Sequence, residues 1–237
     1  MVRYSRWRGL TIPLIAFALA AASSAGAQLV VFNNFGPGNL YMFGSGWPEG
    51  GPKAGWVHPS IVGFRFLPSA SGTLDKVELA LSLDEGLNLA TVYLVGDSSG
   101  HPDTGNVLES WITTSMPPHG QNNPPLVFPS VSHPMLNIGA PYWIYVDATY
   151  HSPFTVAVWD ANVTAGPAGV AISYDRGATW FVGNATQGAF RVTVQGPGGV
   201  TPVQGPGGAT PVPAAPVVSA IGAAVYGVCF FRKRRTA

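Results

Sequence analysis

Eleven carboxylates and five histidines are the side chains of this 237-residue sequence best suited to chemistry. Glycoside hydrolysis needs two carboxyl groups facing each other across a cleft. Asp84-Glu85 and the pair Asp97 and Asp103 are available, but their Gly and Ser neighbours make them solvated loop acids. Asp97, Asp103 and Asn106 could also offer oxygens to Ca²⁺, although their spacing fits no EF-hand loop. His58, His101, His119, His133 and His151 are dispersed, and four of them precede Pro or Ser-Pro. Without a cysteine partner or a His-x-x-x-His pair they predict no zinc site. No serine is read as an activated nucleophile and no Gly-rich phosphate loop is present. The sequence therefore assigns no catalytic residue, no metal site and no cofactor.

The strongest place for a ligand is the aromatic loop from Tyr41 to Trp56, where Trp47 and Trp56 stand among glycines and prolines. Exposed indole faces stack on sugar rings, so these two are the candidate ligand-binding residues. The competing reading, which aromatic burial statistics favour, is that they close the edge of a sheet. Asn162-x-Thr164 and Asn184-x-Thr186 have the form of glycosylation sequons.

A second local motif is Ser173-Tyr-Asp175-Arg-Gly177-Ala-Thr179-Trp180. Asp suits a turn because its carboxylate accepts local N–H bonds, Gly accepts the unusual dihedral, and Trp packs beneath. The pattern resembles the Asp-box of sialidases and other propellers, where it is a folding element away from the catalytic centre. A single copy, with no second at a blade-length interval, implies a structural turn and not a propeller.

These residues must be positioned by strands. Between Gln28 and Gln195 the chain is a succession of short apolar runs separated by Ser71-Gly72, Asp97-Ser-Ser-Gly100, Gly166-Pro167 and Gly183-Asn184. Leu74 to Leu83 alternates with period two, the apolar residues falling at 77, 79, 81 and 83. With 30 Gly, 22 Pro and no convincing helical face, the expected fold is all-β. We expect a jelly-roll-like antiparallel β-sandwich over residues 28–195, flanked by an N-terminal signal helix and a C-terminal hydrophobic helix.

Charge is unevenly placed. Seven of the twelve basic residues lie at the two ends, and between them five cations face eleven carboxylates, leaving the centre at −6. Such a field repels a phosphate backbone and argues against nucleic-acid partners. The single cysteine, Cys229, lies outside the central region, which can therefore form no internal disulfide.

Residues 1–27 have the three parts of a secretory signal: Arg3, Arg6 and Arg8, an apolar run from Leu10 to Ala22, and Ala25-Gly26-Ala27 for cleavage. Signal peptidase is thus an expected partner and Gln28 the expected mature start. The other end opens with a tandem repeat, Val194 to Pro202 and Val203 to Pro211. That composition makes 196–216 a Gly/Pro-rich linker. Residues 217–237 follow as an apolar segment closed by Arg232, Lys233, Arg234 and Arg235. Fifteen residues from Val217 to Phe231 span about 22 Å as a helix, short of the roughly 30 Å of bilayer hydrocarbon. The basic cluster should stay cytoplasmic, placing the domain outside.

This Pro-bearing, apolar, cation-tipped end resembles the sorting signals of the PEP-CTERM class, which implies recognition by an exosortase-like enzyme. Where that class carries Pro-Glu-Pro, this chain has Val212-Pro-Ala-Ala-Pro216. The central region resembles the exported choice-of-anchor β domains, type R in particular. The segments that carry the likeness are Asn34-Phe-Gly-Pro-Gly-Asn39, Gly63-Phe-Arg-Phe-Leu-Pro-Ser69, Gly72-Thr-Leu-Asp-Lys-Val-Glu-Leu-Ala-Leu81, Pro141-Tyr-Trp-Ile-Tyr145 and Gly188-Ala-Phe-Arg-Val192. That resemblance implies a surface-attached β-sandwich and no agreed biochemical activity. The sequence thus predicts an exported, envelope-anchored, non-catalytic surface or extracellular-matrix protein. A carbohydrate-binding module for extracellular polysaccharide is the alternative, and a glycoside hydrolase is a third reading.

Overall fold

A computed structural model describes residues 27–54, 58–148, 153–164 and 166–196. Both flanking helices expected from the sequence, the linker and the basic cluster Arg232, Lys233, Arg234 and Arg235 lie outside the described residues. Within them the fold is all-β, with every named strand pair antiparallel.

The strands are β1 (Gln28–Asn33), β2 (Met42–Gly50), β3 (Ile61–Phe66), β4 (Gly72–Leu79), β5 (Leu81–Glu85), β6 (Ala90–Ser98) and β7 (His101–Thr113). They continue as β8 (Leu126–Pro129), β9 (Met135–Leu136), β10 (Tyr142–Asp147), β11 (Val156–Ala161), β12 (Ala168–Ser173), β13 (Phe181–Ala185) and β14 (Phe190–Gln195). Six of them form one sheet in the order β13-β12-β3-β10-β6-β7. A second sheet runs β1-β14-β4-β8, with β9 also on β4, and a third runs β2-β11-β5.

Alternation decides which side chains meet. Val62, Phe64 and Phe66 of β3, Val92 and Leu94 of β6, and Ile144 and Val146 of β10 point inward from the six-stranded sheet. They share one core with Leu74, Val77, Leu79, Phe190, Val192 and Val194 of the second sheet and with Leu81, Ala157 and Trp159 of the third. The arrangement is sandwich-like: one layer is the six-stranded sheet and the facing layer is made by the other two. Trp159 is fully buried, and its ring meets Phe64 at 4.6 Å and Phe190 at 5.7 Å between centroids. Strand β10 is buried on both faces, because Trp143 and Tyr145 pack outward with Ile61, Val95 and Ala171.

The second and third sheets join at one point. The apolar run from Leu74 to Leu83 is not one strand but two, broken at Ala80. There the Ala80 N–H donates to Ala189 O at 3.0 Å, the Asp160 N–H to Ala80 O at 2.8 Å, and the Ala189 N–H to Asp160 O at 2.8 Å. This closed ring of bonds lets the chain pass between sheets without orphaned backbone groups. Gly188 beside it has no room for a side chain, since an added Cβ would lie 2.3 Å from the Trp159 ring.

Candidate functional site

The Asp-box-like segment joins β12 to β13. Arg176 and Gly177 both take positive φ, 62° and 85°, so the chain reverses in a tight left-handed turn. The Asp175 carboxylate accepts the Thr179 N–H at 2.8 Å, the Thr179 hydroxyl at 2.6 Å and the Ser173 hydroxyl at 2.9 Å. Those bonds, led by the one from the Thr179 hydroxyl, hold its pKa below the usual carboxylate range. Ser173 is buried, and its Oγ accepts the Gly177 N–H at 2.7 Å. Half-buried Trp180 folds back against Tyr145, with ring centroids 5.6 Å apart. Ser173, Asp175, Gly177 and Thr179 thus close the hairpin, and Trp180 packs it against β10.

Beside this turn lies an open cavity of about 300 Å³, lined by Pro52, Pro59, Ser60 and Ile61 on one side and by Ser173 to Arg176 on the other. Tyr174 and Phe181, both more than half exposed, stand next to each other with centroids 5.9 Å apart. No sequence signal marked the cavity, because its two walls are more than a hundred residues apart in the chain.

Trp47 does not stand in a loop. It lies in β2 opposite Trp159 of β11, its ring half-buried with its edge against Phe64, and its Nε1–H donates to Thr186 O at 2.8 Å. The indole packs against the main core with part of its surface exposed. Trp56, the other candidate, lies outside the described residues.

Two of the acids singled out by sequence, Asp97 and Asp103, are held in bonds within the fold, whereas Asp84 and Glu85 are exposed. Asp97 accepts the Trp143 Nε1–H at 2.7 Å and the Gly100 N–H at 2.9 Å, with Arg65 at 3.5 Å. Asp103 accepts the Gly105 N–H at 3.1 Å. Asp84 and Glu85 end β5. Among the described residues no group of three or more His, Cys, Asp or Glu is placed to hold a metal ion. Gly96-Asp-Ser98-Ser-Gly100 does have the spacing of a serine nucleophile elbow, which the sequence reading passed over. Here it forms the tip of the β6–β7 hairpin and not the strand-to-helix turn that such an elbow requires.

Sequence reasoning also missed a cluster formed by residues 82, 119 and 160. The Ser82 Oγ lies 3.0 Å from the His119 Nδ1 and donates to Asp160 Oδ2 at 2.9 Å, while the same Nδ1 lies 3.2 Å from Asp160 Oδ1. Three residue types of a hydrolytic triad are present, but the wiring differs. A triad needs serine on one ring nitrogen and the acid on the other, whereas here both crowd Nδ1. Ser82 and Asp160 are also buried. Hydrogen bonding to Asp160 raises the His119 pKa above 6.5, and burial only partly opposes it.

Glu49 is the other unforeseen group. It is fully buried in β2 on the same face as Trp47, and neither carboxyl oxygen has a hydrogen-bond partner among the described residues. Burial, with a smaller push from Asp147, drives its pKa well above the ordinary glutamate range.

No protein-family model matches this chain, and no curated protein matches it.

Proposed function

We propose that this chain is an exported, envelope-anchored, non-catalytic surface or extracellular-matrix protein built on a jelly-roll-like sandwich of the choice-of-anchor kind. One observation supports it above the others: several of the acids that could do chemistry are bonded within the fold. Asp97 and Asp175 accept bonds within hairpins. Glu109 takes the Ser130 hydroxyl and the N–H groups of Val131 and Ser132. Glu78 binds Arg191 of the neighbouring strand through both oxygens, at 2.7 and 2.9 Å. Signal peptidase acts at one end in this reading, and an exosortase-like enzyme recognises the other. Deleting residues 217–237 tests the anchor. The shortened protein is expected in the medium, and unchanged retention in the envelope fraction would refute the proposal.

A carbohydrate-binding role is the second reading, and the cavity beside the Asp175 turn favours it. In that case Tyr174, on the cavity wall, supplies the stacking face in place of Trp47. Binding of extracellular polysaccharide that weakens in Tyr174→Ala and persists in Trp47→Phe would support it. Equal binding by all three proteins would remove it.

A further inference from the structure

Between β7 and β8 the chain runs twelve residues, 114–125, without joining a sheet, yet it is tied down along its length. The Leu83 N–H donates to Pro117 O at 2.8 Å and the His119 N–H to Leu83 O at 2.8 Å, so the segment pairs briefly with β5. Asn88 bonds both main-chain groups of Met116, at 2.7 and 2.9 Å. Tyr41 accepts the Asn123 N–H at 2.8 Å. Because β5 is the outer strand of its sheet, this strap covers an edge that would otherwise present unpaired N–H and C=O groups.

At the strap's midpoint the His119 side chain turns inward to buried Asp160 and Ser82, with one-fifth of its surface exposed. The strap's other ties among the described residues carry no charge: they are neutral hydrogen bonds and the burial of Met116 in the main core. We propose that the strap is a pH-gated cover for the β5 edge, with the His119 imidazolium as its lock. The charged groups facing the ring are Asp160 of β11 and Asp84 of β5, and Tyr41 lies close enough to sense Asp160. Both carboxylates favour the cation.

When protonated, His119 carries a hydrogen on Nδ1 and neutralises a carboxylate that is almost fully buried. On losing a ring proton it can still donate through the neutral Nδ1–H tautomer, but the charge attraction ends and the buried carboxylate is left facing neutral donors such as the Ser82 hydroxyl. The folded-state pKa lies above the unfolded one, so the lock is fully set below pH 6.5 and is lost as pH rises through the raised value. Strap release is local: the ring of bonds at Ala80, Asp160 and Ala189 does not depend on it.

Amide hydrogen exchange on the full chain, corrected for the intrinsic pH dependence of exchange, tests this. The His119 and Leu83 amides are expected to open roughly five- to tenfold more often above the transition than below it. Amides of β10 are expected to show no such step. His119→Gln should open at both pH values without a step, and His119→Lys should retain protection at the higher pH. A step that survives in His119→Gln, or pH-independent protection in the wild type, would overturn the proposal. Should the variants fail to fold, NMR titration of the wild-type imidazole decides: a His119 pKa at or below 6.5 refutes the lock.

Discussion

Glu49 is the residue whose chemistry and surroundings disagree most. Among the described residues its buried carboxyl has no hydrogen-bond partner, so the charged form is disfavoured and the acid's O–H meets no acceptor there. Its raised pKa means that the folded state binds its proton more tightly than the unfolded chain does. The stability it contributes is therefore complete below pH 4.5 and declines as pH rises through the folded value. Glu49→Met should raise the melting temperature at neutral pH and by less near pH 4, as calorimetry at the two pH values would show. A larger gain at low pH would contradict this account of the burial. Trp47→Ala should cost about 2–3 kcal/mol in denaturant unfolding, less than a fully buried indole, because only part of the ring is covered.

Among the elements, the strands with strict alternation could be read from sequence and the others could not. Apolar positions 77, 79 and 81 of the Leu74–Leu83 run are core residues, as period two requires. The break at Ala80 was hidden, since nothing local distinguishes a strand that changes sheet from one that continues. Met42–Gly50, rich in Gly with one Pro, reads as a loop, yet it pairs with β11 from Gly46 to Gly50. A neighbouring ladder and the packing of Trp47 override weak β-propensity there. Strand β7 begins at His101, six residues before the legible run at Val107, because turn-forming residues near the hairpin tip still pair with β6. The Ser173–Trp180 turn was legible because Ser173, Asp175, Gly177 and Thr179 bond to one another along one short stretch of chain. The Ser82, His119 and Asp160 cluster was not, because its members lie on three separate segments.

Two predictions belong to this scale. Gly188→Ala should destabilise by about 1–3 kcal/mol or more, since the new methyl must displace Trp159 where the sheets join. Acid sensitivity should arise from Glu78 and Glu109. For Glu78 the dominant cause is its bond with Arg191, which holds the carboxyl below its ordinary value. For Glu109 burial pushes upward, but the Ser130 hydroxyl and the Val131 and Ser132 N–H groups outweigh it. Both groups contribute stability that is present above pH 4.5 and lost as pH falls through their lowered values. Glu78→Gln should accordingly flatten the acid limb of the stability curve, while a limb unchanged from wild type would show that other carboxylates set it.

At the scale of the whole molecule, a sandwich-like fold that bonds several of its own acids lies in sequence between two ends that read as addresses. The acidic centre and basic ends were plain from composition. The cavity was not, because its wall is assembled from distant segments and has no motif of its own. The measurement that bears most directly on the central claim is an intact mass spectrum of the native protein from the envelope fraction. It should fit a chain beginning at Gln28. A mass requiring Met1 and the full N-terminal segment, or recovery of the protein only from the cytosol, would contradict the proposal of an exported surface protein.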